Sequence, residues 1–346
     1  MKAVTFGSAM VDIIAVLKSD SIEKISLSNA HQQFLLVEPG RKVEADSITT
    51  HIGGGAMNTA VCLSRLGCEV SPLVKTGEDA SRDHVLAHAD ANGVKTQNML
   101  IDQQQSTGSA VMIASHEKNS AIFTQRGANT TLVEADLSTE VLNGMDLVHC
   151  APLSGNSAKV LPTIANLAKN ADAFFSSNPG IRQISTRANS VLDAAKDMDL
   201  MSINAVEAAA LVPCLSALNS KLDWGEPYTT EPTLKSQDVE IGLRKFCAAL
   251  HGHGPDNILV TYGGDGAWLY DGNTLHHQPV IPATVAGTAG AGDSFVSTLA
   301  WGLKSGFRAQ DALLLAAHNA SSVVSYVNTT DGLLMHDELK ARAGLS

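Results

Sequence analysis

The chain has 346 residues, 44% hydrophobic and 17% charged, which suits one large folded α/β domain and excludes a disordered or fibrous class. Lysine and arginine number 24 against 35 acids, a net charge of −11 with no basic cluster, which argues against nucleic acid and anionic membranes as partners. Five cysteines without CxxC spacing, no bilayer-long apolar run and no signal-peptide core predict a reduced, cytoplasmic protein.

In chain order, the strand-like run AVTF ends at Gly7, and Asp12 follows in GSAMVD. The cluster GGGAMNTAVCLSRLG spans Gly53 to Gly67. Within it Met57, Ala60, Val61 and Leu63 recur at helical spacing, and Gly67 reads as the helix stop. The strand EVSPLVKTG comes next, then a helix from about Ala80 that closes at Asn92-Gly93. MDLVHC, DAFFSS, DMDLMSI and DNILVTY are further strands separated by helical stretches. This alternation predicts a mostly parallel sheet covered by helices on both faces, in a single α/β domain over 1–346.

Two regions break the alternation. Phe34 to Ile52 and Thr107 to Gln125 read as short antiparallel strands, the second as a hairpin around HEKN. Together they predict a small β-sheet lid built from discontinuous segments, about 12–52 and 107–126. Such a sheet could cover a pocket or pair with another subunit through its edge. The polar, proline-containing stretch Ser220 to Asp238 reads as a surface loop.

The chemistry concentrates in GTAGAGDSF, Gly287 to Phe295, between a β-rich segment and the helical run FVSTLAWGL. A helix starting there leaves the N–H groups of Ala289 to Asp293 without intrahelical partners, where negative charge is favoured. A carboxylate in that anion site needs chemical work, and the natural one is to take a proton from an attacking hydroxyl during phosphoryl transfer.

With both glycine clusters read, the chain resembles the ribokinase-like sugar kinases, the PfkB carbohydrate kinase family. GGGAMNTAVCLSRLG is similar to that family's N-terminal signature and AGTAGAGDSFVSTLAWGL to its C-terminal one. NAVE at Asn204 to Glu207 and VTYGGDGAWLY at Val260 to Tyr270 match in order between them. The resemblance implies a three-layer α/β/α core with a β lid and ATP-dependent phosphorylation of a sugar or nucleoside hydroxyl. It implies Asp293 as catalytic base, with the N–H groups of Ala289, Gly290, Ala291 and Gly292 as anion hole. Asp12 and Asn58 would bind substrate, and Gly53 and Gly54 form a hinge. Arg126, in TQRGAN at the end of a lid strand, is placed either to reach a phosphate or sugar oxygen or to stand as an exposed structural arginine. Asn204 and Glu207 would hold Mg²⁺ and phosphates, largely through water; Glu207 reaching back to a capping Asn204 explains the same spacing. Thr261, Gly263 and Gly266 would contact ATP, and His318 and Asn319 fall where the family lines its adenine pocket.

The sequence also departs from the family. Gly287 stands where most relatives carry Asp, which argues against activation by a monovalent cation. Gly55 and Met10 replace a Lys and an Asn of ribokinase proper, which argues against ribose itself. Aromatic residues make up only 4% of the chain, which disfavours a stacked nucleoside base. An adenosine-type nucleoside kinase and a catalytically silent ligand-binding relative are the alternatives. A nicotinamide dehydrogenase is disfavoured, because GSAMVD lacks the G-x-G-x-x-G spacing.

Overall fold

The computed structural model describes residues 1–17, 23–26, 33–36, 40, 42–115, 120–219, 222, 224, 231–236 and 239–345. The apolar runs form one eight-stranded sheet. Its spatial order is Leu275–Gln278, Ala267–Tyr270, Asn257–Thr261, Leu200–Asn204, Phe174–Ser177, Leu147–Cys150, Lys2–Phe6 and Glu69–Leu73. The last six run parallel, and two antiparallel strands extend one edge.

Successive residues of these strands point to opposite cores. Val4, Phe6, Val148 and Met201 pack with Ile164, Leu211 and Phe246 on one face. Ala3, Leu147, Leu200 and Leu259 pack with Met57, Leu299 and Leu315 on the other. Strands buried on both faces carry buried residues at consecutive positions, mostly apolar, with Thr5, His149, Ser176 and Ser177 among them. The helix Gly55–Arg65 stops at Gly67, whose φ of +86° suits glycine. The helix Ala80–Ala91 closes at Asn92 and Gly93 as expected. All five cysteines are free, and four of them are buried.

A second, four-stranded sheet has the order Ser120–Gln125, Gly108–Ser115, Met10–Leu17 and Ala45–Gly53. Its inner strand Met10–Leu17 runs antiparallel to Ala45–Gly53 and parallel to Gly108–Ser115. Asp12 therefore lies within a strand, opposite His51 and Ala110, and not merely after the first strand. Gln33–Leu36 does not join this sheet; it pairs with Glu23–Ser26 in a ribbon of its own. The HEKN turn and most of Ser220 to Asp238 lie outside the described residues. Thr233–Ser236, expected as loop, is a strand paired antiparallel with Val239–Gly242.

Candidate active site

The helix Ala291–Lys304 starts without a side-chain cap. Its preceding residue, Gly290, is left-handed at φ +79°, and a Cβ there would stand 2.8 Å from the Cβ and the carbonyl oxygen of Thr329. Only glycine fits. The N–H groups of Gly290, Gly292 and Asp293 meet no acceptor among the described residues, and that of Ala291 reaches the Thr288 carbonyl only at 3.4 Å. A Cβ on Gly292 would meet nothing within 4 Å, so the first turn is open to a ligand.

Asp293 stands in this turn. Its Oδ2 accepts a hydrogen bond from Asn58 Nδ2 at 2.8 Å, and Asn58 Oδ1 accepts one from Thr329 Oγ1 at 2.8 Å. Asn58 is buried at 5% exposure, so this chain of bonds fixes the carboxylate. Burial pushes the Asp293 carboxyl up to about 6, and the Asn58 amide pulls weakly the other way. The sequence missed Thr329, which reaches the site from a loop more than 270 positions after Asn58.

Two cavities flank the loop. One, of about 310 Å³, is lined by Asp12, Met10, Met112, Arg126, Ala289, Asn328 and Thr329, among others. Asp12 accepts no hydrogen bond from the described residues, and burial raises its carboxyl to about 6. A Cβ on Gly53 would fall 2.3 Å from Asp12 Oδ2, and one on Gly54 would fall 2.5 Å from the Ser8 carbonyl. These glycines let the strand pass under the carboxylate and turn into the helix Gly55–Arg65. Arg126 is exposed just beyond the strand Ser120–Gln125.

The other cavity, about 420 Å³, is largely apolar. Thr261, Gly263, Gly266, Ala291, Gly292 and Phe295 line it, with the segment Pro279–Ala283 and Val285 as a wall. Helix Ala309–Val323 and the residue after it contribute Ala317, Ala320, Ser321 and Val324. His318 and Asn319 do not line this cavity. Asn319 is fully buried, donating to Thr298 Oγ1 at 2.8 Å and accepting from the Leu334 N–H at 2.9 Å. Its amide is committed to the core.

Asn204 pairs with Thr261 across the sheet and caps the helix Ala205–Leu218. Its Oδ1 accepts from the Glu207 N–H, and Glu207 Oε2 accepts from the Asn204 N–H, both at 2.9 Å. Burial raises the Glu207 carboxyl, opposed by N–H donors from Asn204 and Ile181. No cluster of three or more His, Cys, Asp or Glu side chains suited to a metal ion occurs among the described residues. Gly287 packs so that a Cβ would be 3.1 Å from the Tyr326 carbonyl.

The family model of the pfkB family carbohydrate kinases matches residues 2–335. The chain belongs to that family. Among curated relatives, this pfkB kinase is 25% identical to a ribokinase of Lactococcus lactis, over 95% of this chain and 96% of that one. The solved structure of Arabidopsis thaliana ribokinase with ribose and ATP superposes with a TM-score of 0.75 at 21% identity, covering 100% of this chain and 99% of that one. A Burkholderia thailandensis nucleoside kinase in complex with inosine gives 0.73 at 15% identity, over 99% and 97%. The ribokinase-like fold is thereby established, and the protein is a sugar or nucleoside kinase. No helix of the described residues is long and apolar enough to cross a membrane.

Proposed function

We propose that this pfkB kinase transfers the γ-phosphoryl group of ATP to a hydroxyl of a small sugar-like alcohol, with Asp293 as general base. The observation that carries the reading is the placement of one loop between two cavities: Ala289 faces the cavity of Asp12, while Ala291 and Gly292 face the apolar one. ATP fits the apolar side, because Gly263 and Gly292 leave open space above the backbone and the alanines of helix Ala309–Val323 leave room for a flat base. ATP supplies the phosphoryl group. The chain's own residues do the rest. Asp12 accepts hydrogen bonds from substrate hydroxyls, Asn58 holds Asp293, and Asp293 takes the proton of the attacking hydroxyl. The N–H groups at Ala289 to Asp293, of which those of Gly290, Gly292 and Asp293 meet no acceptor among the described residues, stabilise the charge that develops in transfer. Glu207 and Asn204, occupied with capping each other, would reach a nucleotide-borne Mg²⁺ through its waters.

A sugar is favoured over a nucleoside, since no Phe, Tyr or Trp lines the Asp12 cavity among the described residues. Turnover without monovalent-cation activation follows from Gly287. The four-stranded sheet serves as the lid, and it offers a dimer contact through exposed Ile48, Ile122 and Phe123. The test is ADP release from ATP and Mg²⁺ over a panel of sugars, sugar acids, sugar phosphates and nucleosides, with and without K⁺. Silence across the panel, or equal turnover by Asp293→Asn, would reject the assignment.

A further inference from the structure

Three of the chain's nine arginines, Arg126, Arg182 and Arg187, line a third cavity of about 750 Å³. Every other arginine whose side chain is described has an acceptor. Arg65 donates to the Leu333 carbonyl, Arg82 to Thr76, and Arg244, Arg308 and Arg342 pair with Glu231, Asp311 and Glu338. The guanidinium groups of the three cavity arginines make no hydrogen bond or ion pair with any described residue, while the carbonyls of Arg126 and Arg182 accept from Asn129 and Thr186. No Asp or Glu lines the cavity among the described residues. Three guanidinium groups gathered without a counterion among the described residues repel one another.

A second observation points the same way. Gln183 is 4% exposed and lines this cavity, and its Nε2 has no hydrogen-bond partner. Its Oε1 is already fixed, accepting from the Leu153 N–H at 3.3 Å. A buried amide N–H₂ without an acceptor costs stability on its own and asks for one. Arginine forks and an amide donor together form an oxyanion cradle.

The cavity adjoins the acceptor site. Arg126 lines both cavities. Pro152, the neighbour of Leu153, packs against Gly55 and Gly180, and a Cβ on Gly55 would be 3.7 Å from Asp293 Oδ1. An acceptor extending from Asp12 past Arg126 would place its far end among these donors.

We infer that the acceptor carries an oxyanion, a phosphate monoester or carboxylate at the end away from the reacting hydroxyl, held by Arg182, Arg187 and Gln183 with Arg126 at the junction. This rests on the kinase reading above and narrows its substrate class to sugar phosphates and sugar acids. The covalent step is unchanged: the acceptor oxygen bonds to the γ-phosphorus, the bond from that phosphorus to the β,γ-bridging oxygen breaks, and Asp293 takes the hydroxyl proton.

The full chain is titrated calorimetrically with pentose and hexose phosphates, with aldonic and 2-keto-aldonic acids, and with their neutral counterparts. ADP release is measured on the same panel. Arg182→Gln, Arg187→Gln and the double variant are run beside the wild type, with circular dichroism to verify folding. A charged group of compounds should bind and turn over in preference to its neutral counterparts. The double variant should raise its KM on the order of 10–100-fold, the size of lost charge-assisted bonds, with the loss in KM and not in kcat. The phosphate and carboxylate arms decide which oxyanion is meant. Neutral sugars turning over as well as charged ones, with KM indifferent to both arginines, would overturn the inference and leave the kinase standing. Arginine-dependent binding of a charged compound without ADP release would do the reverse.

Discussion

Two helices near the active site begin in opposite ways. Helix Ala205–Leu218 satisfies its own N-terminus: Asn204 and Glu207 exchange hydrogen bonds with each other's backbone. Helix Ala291–Lys304 has glycine where a capping side chain would stand, and its acid, Asp293, accepts from a side chain on another helix. A helix end that closes on itself is structure. One left open, with a carboxylate placed among its free N–H groups, holds back stability for a ligand.

The largest effect should come from removing the proposed base. Asp293→Asn keeps the Asn58 neighbour yet should lower kcat by about 10²–10⁴-fold, measured by ADP release with retained nucleotide binding. Gly290→Ala comes next: the left-handed backbone and the Thr329 contact predict a loss of about 1–3 kcal/mol together with activity, seen in denaturant melts and initial rates. Unchanged behaviour would mean the loop is not rigid.

Acidity sharpens the contrast further. The Asp293 carboxyl sits at about 6 instead of its ordinary 3.8 and must be ionised to accept a proton. The rate constant kcat/KM should therefore fall as pH drops through about 6, and a flat profile down to pH 5 would contradict the base role. Stability runs the other way. The native state keeps the proton up to a higher pH than the unfolded chain, so this group's contribution declines as pH rises from about 4 through 6. Asp293→Asn should then melt higher than wild type at pH 8, with the difference shrinking toward pH 4. The smallest effect belongs to the closed helix: Asn204→Ala should cost about 1 kcal/mol of stability. A large rise in KM for ATP from the same change would show that Asn204 also serves the nucleotide.

Much of this arrangement is legible in the residues. Gly53, Gly54 and Gly290 mark close approaches because nothing larger fits beside Asp12, Ser8 and Thr329. The parallel strands declare themselves as brief apolar runs between helical periods. What escapes is phase and distance. The helix at 309–323 turns Ala317, Ala320 and Ser321 to the cavity, a face spaced by three and four, and Asn319 points into the core instead. Met10–Leu17 is hard to see because an acid interrupts its apolar run, and that acid is Asp12. Thr329, Gln183 and the three cavity arginines converge only through folding, and no local pattern announces them.

The first strand, Lys2–Phe6, lies between Glu69–Leu73 and Leu147–Cys150, with Ala3 opposite both Val70 and Leu147. Its two partners come from far along the chain, so the sheet cannot close until well over a hundred residues have been gathered. Such non-local pairing makes assembly slow and leaves strand edges open while it proceeds. The same strand that leads the chain out of the core and on to Asp12 thus makes completion of the cavity beside Asp12 depend on pairing between distant parts of the chain.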